Sequence, residues 1–318
     1  MSERLPDFFI VGQPKSGTTA LYEMLRRHPE VFMSKVKEPR YFASDLPSSF
    51  QRHSDAPPLT YGDYLALFRD ARADQRVGEA STAYIWSEQA AQRIAEARPD
   101  ARLIAILREP ASFVRSMHLQ LLQIRIEREP SLRRAIALED ARREGRELPS
   151  TMTRWPQVLL YTERARYLEQ LRRYRAAFPS EQLQVLIYDD WRADNEGTLR
   201  QVLRFIGVDD TVAIEQTEAN PTVRVRSTRL EDMVGAADLG HGTLARAVKA
   251  TARVAVPSRR LRKDAFWFVR RRMVFAEPPP VDERLMLELK RRFAPEVEQL
   301  GEYLGRDLVR LWGYEGLG

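Results

Sequence analysis

A run of polar and basic residues follows the first apolar segment of the chain and has the composition of an oxyanion-binding loop. Residues 8–11 are apolar and β-favouring, and turn-forming residues follow them, which predicts a buried strand. Residues 12–19 read Gly-Gln-Pro-Lys-Ser-Gly-Thr-Thr, and the apolar spacing beyond them predicts a helix to Leu25. A tight turn from strand to helix directs backbone N–H groups and the positive end of the helix dipole at one point. Lys15 adds a full charge there, so we expect this loop to bind a phosphate, or a sulfonate next to one.

Two nucleotide-binding motifs are alternative interpretations of this loop. Gly12 and Gly17 have the spacing of the P-loop, Gly-x4-Gly-Lys-Ser/Thr, but Thr18 stands where the lysine belongs. The lysine lies at Lys15 instead, which changes the phosphate oxygen that it can reach. Residues 14–19 resemble the 5′-phosphosulfate loop of sulfotransferases that use 3′-phosphoadenosine 5′-phosphosulfate (PAPS), which reads roughly Pro-Lys-Ser/Thr-Gly-Thr-Thr. The remaining alternative is an ordinary β-to-α turn of an α/β protein.

A second segment resembles the 3′-phosphate site of the same family. Arg108-Glu109-Pro110 follows a predicted strand, and Ser116 comes eight residues after the arginine. In the family, an arginine at a strand end and a serine two turns into the next helix hold the 3′-phosphate, which suits the donor geometry of a guanidinium and a hydroxyl. Relatives often carry an arginine where this chain has Phe113, and Arg115 is a candidate to compensate. The alternative is a surface Arg–Glu pair at a helix start.

The segment 37–42, Lys-Glu-Pro-Arg-Tyr-Phe, resembles the Lys-Glu-x-x-Phe/Tyr-Phe segment of bacterial and glycan sulfotransferases. In that branch the glutamate is the proposed general base, and the matching residue here is Glu38. The chemistry requires removal of a proton from the acceptor hydroxyl as its oxygen attacks sulfur. A carboxylate beside Lys37 and Arg40 has a low pKa and is a weak base unless it is partly buried. The alternative is a surface turn whose charges pair with one another.

Two further residues compete with Glu38 as the base. Cytosolic small-molecule sulfotransferases use histidine, and His118, in the helix that carries Ser116, is the histidine that fits best. Glu79 lies in residues 78–84, which resemble another family segment, and it is a second acid candidate, although a structural role is an equal alternative. Heparan-type members carry a lysine where this chain has Ala80, which argues against a heparan sulfate acceptor.

Later segments match the family in the expected order. Residues 178–190 resemble the Phe-Pro…Val-Leu-x-Tyr-Glu-Asp stretch, for which a magnesium-binding strand end at Asp189 is the alternative. Residues 303–312 resemble the closing Leu-Gly-x-Asp-Leu…Trp signature more loosely. Arg224 and Arg226 lie where relatives close a basic loop over the nucleotide.

Apolar strands alternate with helical segments along most of the chain. Strands are predicted at 31–33, 76–80, 101–107 and 183–188, and helices at 61–68, 110–126, 131–145, 158–177, 195–206 and 281–303. This alternation predicts an α/β fold of three layers with a central parallel sheet flanked by helices. The resemblance implies the P-loop NTPase-like sulfotransferase fold. Ligands in such sheets bind at the carboxyl ends of strands.

Length and composition restrict the number of domains, the kinds of site and the cellular location that we expect. The 318 residues predict one domain, 1–318, in which a helical, basic part from about residue 231 packs on the α/β core. The chain has no cysteine, which excludes disulfides, thiolate metal sites and cysteine nucleophiles. No signal peptide or membrane span is visible, which predicts a cytoplasmic protein of bacterial type. We interpret the net charge of +6 as base-composition bias, with attraction to an anionic cofactor or acceptor as the alternative.

Together these matches imply a PAPS-dependent sulfotransferase. It would transfer a sulfuryl group to a hydroxyl, less often an amine, of a small-molecule, lipid or glycan acceptor and release 3′-phosphoadenosine 5′-phosphate (PAP). The implied catalytic residues are Lys15 and Glu38, with His118 as the rival base. The implied cofactor-binding residues are Pro14, Lys15, Ser16, Gly17, Thr18, Thr19, Arg108, Ser116, Arg224 and Arg226.

The same reading sets expectations for metals, partners and rival functions. No metal is expected, because cations and backbone donors neutralise the charge. No nucleic-acid partner is expected, while the basic segment 244–273 is a candidate for peripheral membrane contact. The rival functions are a magnesium-dependent P-loop kinase or NTPase and a non-catalytic nucleotide- or anion-binding adaptor.

Overall fold

Five parallel strands form the central sheet of the protein. The computed structural model describes residues 4–46, 59–124, 126–149, 156–214, 224–225, 275–276 and 279–317. The strands are β1 (Phe8–Gly12), β2 (Val31–Met33), β3 (Arg76–Ala80), β4 (Arg102–Leu107) and β5 (Leu183–Ile187). Their order is β2-β3-β1-β4-β5, and every neighbouring pair is parallel. The loop that follows β1 therefore emerges from the middle of the sheet, between the carboxyl ends of β3 and β4.

Successive residues of the buried strands face opposite sides of the sheet and enter two separate apolar cores. Phe9 and Val11 of β1 pack with helices on one side, whereas Phe8 and Ile10 pack with helices on the other. All four side chains are buried. This arrangement confirms the predicted three-layer α/β fold with a parallel sheet flanked by helices.

Helices follow the strands in the described part of the chain, and the last two come after all five strands of the sheet. They are α1 (Thr18–Leu25), α2 (Tyr61–Ala66), α3 (Ala90–Ala97), α4 (Pro110–Gln123), α5 (Leu132–Ala137), α6 (Glu139–Arg143), α7 (Tyr167–Ala177), α8 (Tyr188–Ala193), α9 (Asn195–Ile206), α10 (Glu283–Leu304) and α11 (Leu308–Trp312). Helix α9 ends at Gly207, which adopts a left-handed conformation with φ 77°, as the glycine stop signal predicts.

The helix predicted at 131–145 is two short helices, α5 and α6, and part of its charge is buried. The Arg142 guanidinium donates to both carboxylate oxygens of Glu127, at 2.7 and 2.9 Å. Glu139 accepts a hydrogen bond from the Thr162 backbone N–H at 2.9 Å. These contacts bind the segment to the interior of the protein.

The long helix predicted at 158–177 is helical only from Tyr167 onward. Its first half consists of the 3₁₀ turns Pro156–Leu159 and Glu163–Ala165. The residues between Val158 and Tyr161 are all buried, so this stretch has no solvent-facing side and cannot be an amphipathic helix. This difference matters below, because the second turn carries Arg164.

The described C-terminal residues pack on the α/β layers. Helix α10 begins after Asp282, whose side chain caps it, and lies against α4 and α7. Residues 224–225 pair with residues 275–276 in an antiparallel ladder of two short strands. Arg226 and the basic segment 244–273 lie outside the described residues. Within the described part of the chain, no helix combines the length and apolarity that crossing a bilayer requires.

Candidate active site

The loop between β1 and α1 turns sharply at two residues with positive φ. Lys15 has φ 64°, and Gly17, directly before α1, has φ 86°. A Cβ atom on Gly17 would lie 3.1 Å from Cδ1 of Trp191, so conformation and space both favour glycine there. The backbone N–H of Gln13 donates to the Ile106 carbonyl at 2.8 Å, which ties the start of the loop to β4. The first turn of α1 therefore opens toward the carboxyl end of the sheet, as predicted.

Two cations meet at this loop without a carboxylate partner. Nη1 of Arg108, which follows β4, donates to the Lys15 backbone carbonyl at 3.1 Å. The Arg108 guanidinium also lies over the ring of Tyr188, 5.0 Å from its centroid. In the described part of the chain, neither Lys15 nor Arg108 has a carboxylate oxygen within 4.0 Å. Burial and the charge of Arg108 lower the pKa of Lys15, so a bound anion would stabilise its charged form.

Helix α4 carries two buried polar atoms without a partner in the described part of the chain, and one of them belongs to Gln120, which lines the cavity described below. Ser116 Oγ and Gln120 Oε1 are buried and have no hydrogen-bond partner among the described atoms. They are four residues apart and share one helix face. Sequence reasoning found Ser116 and missed Gln120, which the four-residue spacing alone could have indicated. Buried polar groups are nearly always hydrogen-bonded in native proteins, so these two atoms favour a ligand that supplies the missing bonds.

The start of α4 is fixed by a carboxylate and by the C-terminal end of the fold. Glu109 caps the helix by accepting hydrogen bonds from the Ala111 and Ser112 backbone N–H groups, at 2.9 and 2.6 Å. The buried hydroxyl of Tyr314 donates to the same carboxylate. Glu109 is therefore a capping residue, and the surface Arg–Glu pair that the sequence left open does not form.

A cavity of about 150 Å³ joins these elements. Its walls contain the predicted residues Pro14, Lys15, Gly17, Thr18, Thr19, Glu38 and Arg108, together with Lys37, Thr82, Gln120 and Tyr188. Ser16 and Ser116 are buried nearby. Of the two basic-loop residues, Arg224 is described only as part of a short strand, and Arg226 lies outside the described residues.

Glu38 lies at one wall of this cavity and is held by four donors. Lys37 Nζ and Thr82 Oγ1 donate to Oε1 at 3.0 and 2.9 Å. Arg40 Nε and the Thr82 backbone N–H donate to Oε2 at 3.3 and 3.0 Å. The side chain is 20% exposed. Burial alone would raise the pKa of Glu38, but the Lys37 and Arg40 charges and the hydrogen bonds outweigh it and lower the pKa.

The comparisons with known proteins agree on one family. A model described as "Sulfotransferase family" matches residues 6–211. The chain belongs to the sulfotransferase family. The crystal structure of a sulfotransferase from Alicyclobacillus acidocaldarius superposes with a TM-score of 0.66 and 23% identity, over 97% of this chain and 99% of that one. The predicted sulfotransferase fold is thereby confirmed.

Curated relatives match this sulfotransferase over shorter segments. Carbohydrate sulfotransferase 15 of Mus musculus is 33% identical over 36% of this chain and 27% of its own length. Heparan sulfate glucosamine 3-O-sulfotransferase 3B1 of Mus musculus is 28% identical over 65% of this chain and 47% of its own length. The chain therefore spans between about a quarter and half of the length of these two relatives.

Glu79 of this sulfotransferase is fully buried behind the cavity wall. Its carboxylate accepts hydrogen bonds from the hydroxyls of Tyr64, Tyr84 and Ser81 at 2.6, 3.0 and 2.6 Å. Burial raises the pKa of Glu79 to about 7, and the negative charge of Glu38 also raises it, while the three hydroxyls act in the opposite direction. Glu79 does not line the cavity, so its contacts favour the structural role.

The raised pKa of Glu79 predicts a pH-dependent stability. Between its ordinary pKa of 4.5 and about 7, the folded state binds more protons than the unfolded state, so stability falls as pH rises through this range. Because Glu79→Gln removes this titration, its free energy of unfolding should fall less from pH 5 to pH 8 than that of the wild type. The expected difference is on the order of 2–3 kcal/mol. Urea unfolding at several pH values measures it, and parallel curves for the two proteins would contradict the prediction.

His118 has its contacts with other parts of the fold. Its side chain is buried, Nε2 lies 2.9 Å from the Glu129 carbonyl oxygen, and the ring packs edge-on against Tyr161. Burial lowers the pKa of His118. The histidine is not among the residues that line the cavity, although it shares α4 with Ser116. The structure thus does not bring this rival base together with Glu38 and Lys15.

Three residues that the sequence analysis discussed, Asp189, Arg115 and Phe113, have contacts with other parts of the fold. Asp189 accepts a hydrogen bond from Trp312 Nε1 at 2.9 Å, which gives it a structural contact with α11. Arg115 donates to the Pro279 carbonyl at 2.7 Å, and burial together with the charge of Arg108 lowers its pKa. Phe113 is buried against Tyr167, so this position contributes packing where relatives often have an arginine.

Proposed function

We propose that this sulfotransferase transfers a sulfuryl group from PAPS to a hydroxyl of a glycan, lipid or small-molecule acceptor. The observation that carries the proposal is the convergence of Lys15 and Arg108 on the loop that starts α1, where neither has a carboxylate partner among the described residues. Two uncompensated cations beside a helix N-terminus favour a ligand with more than one anionic group.

The residues present fit PAPS. Its 5′ end would lie against Ser16, Gly17, Thr18 and Thr19, where the loop and the start of α1 supply donors. Its 3′-phosphate would take hydrogen bonds from Arg108 and from Ser116, whose hydroxyl has no partner among the described residues. The unpartnered Ser116 hydroxyl is the specific support for a 3′-phosphate in the ligand. A nucleotide without that phosphate would leave the hydroxyl without a hydrogen bond.

Different residues of the chain have different roles in the proposed sulfuryl transfer. PAPS supplies the sulfuryl group and a phosphate leaving group. Lys15 neutralises negative charge that develops on the bridging oxygen, a role for which its position in the loop suits it. Glu38 accepts the proton of the acceptor hydroxyl. Lys37, Arg40 and Thr82 fix the orientation of that carboxylate and keep it ionised through mildly acidic pH.

A glycan is the acceptor class that we favour. The relatives that match the chain are named as carbohydrate and heparan sulfate sulfotransferases. The activities in these names support a sugar hydroxyl as the acceptor.

Ligand-dependent melting separates this function from its rivals. PAP without magnesium should stabilise the protein by about 2.7 kcal/mol at a hundredfold excess over its Kd. Stabilisation by Mg-ATP alone would favour a kinase or NTPase, and the absence of any nucleotide response would favour an adaptor. Transfer of label from PAPS to an acceptor extract completes the test.

Arg108→Ala is expected to weaken PAP binding much more than binding of adenosine 5′-phosphosulfate, which lacks the 3′-phosphate. A hydrogen bond to a charged group is worth roughly 1.5–3 kcal/mol, which corresponds to about a 10- to 100-fold loss of PAP affinity. Isothermal titration of both ligands measures the difference. An equal loss for the two ligands would place Arg108 away from the 3′-phosphate.

Ser116→Ala provides a matched comparison for the same subsite. Because the Ser116 hydroxyl has no partner among the described residues, its removal should leave the ligand-free stability unchanged or slightly raised. A selective loss of PAP affinity with unchanged ligand-free stability would support a 3′-phosphate contact.

A further inference from the structure

A second cavity, of about 350 Å³, is lined by residues of other elements than the cavity that contains Lys15 and Glu38. Its walls include the 3₁₀ turn Glu163–Ala165, the start of α7 and Trp86, which follows β3. Three arginines, Arg164, Arg166 and Arg173, reach its lining together with four acidic residues, Asp45, Glu88, Glu163 and Glu169. None of these arginines belongs to the motifs that the sequence analysis identified.

Arg164 is a buried cation without an acceptor among the described residues. Its side chain is 4% exposed, and the guanidinium lies over the Trp86 ring, 4.6 Å from the centroid. Nε and Nη1 have no hydrogen-bond partner in this part of the chain, and no carboxylate lies within 4.0 Å. Burial lowers the pKa of Arg164 to about 10, and the charge of Arg40 contributes, so the group remains charged at neutral pH.

The other two arginines of the cavity are paired. Arg173 Nη1 donates to Glu169 at 3.0 Å, and Arg166 lies 3.7 Å from the same carboxylate. A buried charge without a partner is strongly unfavourable, because no Coulombic attraction offsets the cost of removing the charged group from water. Arg173 Nε is also without a hydrogen-bond partner, but of the three arginines Arg164 alone has no carboxylate partner in the described part of the chain, and a ligand anion would supply one.

Hydrogen bonds connect this cavity directly to the reaction site. Gln13, at the start of the anion loop, donates through Nε2 to the Arg164 carbonyl at 3.3 Å and to Gln170 Oε1 at 2.6 Å. Gln170 Nε2 donates to the same carbonyl at 3.1 Å. Arg40, whose charge acts on Arg164, is also a partner of Glu38. The cavity is thus held at a fixed place beside the loop and the base.

We propose that the Arg164 cavity binds an anionic group, a carboxylate or a sulfate, carried by the acceptor at a distance from the hydroxyl that reacts. This inference rests on the proposed function, since it names the acceptor class of the same enzyme. Arg164 supplies the charge, and Trp86 provides an apolar face beside it. The acceptor is therefore an acidic molecule, and Arg164 is a specificity-determining residue.

Three matched sugars test the proposal on the full chain saturated with PAP. Methyl β-D-glucuronide carries a carboxylate, methyl β-D-glucoside 6-sulfate carries a sulfate, and methyl β-D-glucoside is neutral. Ligand-observed NMR titration should show that at least one charged sugar binds about tenfold or more tightly than the neutral one. Which charged sugar is preferred distinguishes the two anion chemistries.

Arg164→Gln should abolish this preference while the neutral sugar binds as before. Arg164→Lys retains the charge and should keep part of the preference for charged sugars. This variant tests the proposal if Arg164→Gln does not fold. Arg172→Gln is the matched control, because it removes one positive charge from an exposed position of α7 outside the cavity lining and should leave the preference intact.

Equal binding of charged and neutral sugars by the wild type, or binding of none at tens of millimolar, would overturn the proposal. The proposal would also be overturned if the Arg164→Gln variant still preferred charged sugars to the neutral sugar. Stabilisation by PAP is recorded in parallel. If PAP stabilises the protein and the sugars show no preference, the inference alone fails, whereas absence of PAP stabilisation is a failure of the proposed function.

Discussion

Glu38→Gln is expected to lower kcat by roughly 10²–10⁴-fold with PAP affinity unchanged. The substitution retains the size of the side chain and one acceptor oxygen for Thr82, but it removes the basic group. It also removes the ion pairs with Lys37 and Arg40, so the melting temperature of the variant must be recorded with the kinetics. Single-turnover measurement of sulfuryl transfer separates a loss of chemistry from a loss of binding.

The pH profile gives an independent check on the base. Because the pKa of Glu38 is lowered, the carboxylate stays ionised as pH falls through the mildly acidic range, and activity should persist there. A histidine base would lose activity near its ordinary pKa of about 6.5. His118→Ala is the matched variant and should have a much smaller effect than Glu38→Gln. Loss of activity near pH 6.5 together with an inactive His118→Ala variant would transfer the role of base to His118.

Lys15→Ala is expected to reduce the rate of transfer on the order of 10²-fold or more in a protein that still folds. The lysine is a preorganised cation beside the start of α1, and an alanine leaves developing charge on the leaving group without its partner. Burial and the charge of Arg108 both lower the pKa of Lys15, so removal of the lysine relieves a desolvated charge and a repulsion, and we expect no large loss of stability.

Lys35→Ala serves as the control for Lys15→Ala. Lys35 is 54% exposed and pairs with Asp70 on the surface, so its removal should change neither stability nor rate appreciably. Transfer assays with labelled PAPS compare the two variants. Near-normal turnover in a well-folded Lys15→Ala protein would remove the lysine from the catalytic centre.

The features that the sequence predicted correctly are local. The apolar run of residues 8–11 and the glycine-containing turn after it identify β1 and the anion loop, because strand periodicity and turn chemistry act over a few residues. The family resemblance added Ser116 and Arg108, and Arg108 contacts the Lys15 carbonyl because β1 and β4 are neighbours in the sheet.

The features that the sequence did not reveal depend on contacts between distant segments. The four donors around Glu38 include two from Thr82, forty-four residues later, and no local pattern predicts that contact. Arg164 resembled one more charged residue of an amphipathic helix. It is buried because residues 156–165 fold as two 3₁₀ turns that pack into the interior.

The contact between Tyr314 and Glu109 has a consequence for the order in which the enzyme is built during translation. Glu109 caps the helix that carries Ser116, and one donor to its carboxylate comes from the hydroxyl of Tyr314, a residue made some two hundred positions later. The strands and the anion loop can assemble while the last helices are still inside the ribosome. Until Tyr314 has emerged, the Glu109 carboxylate caps the helix without this third donor, so we expect the start of the helix that carries Ser116 to gain its full set of contacts last.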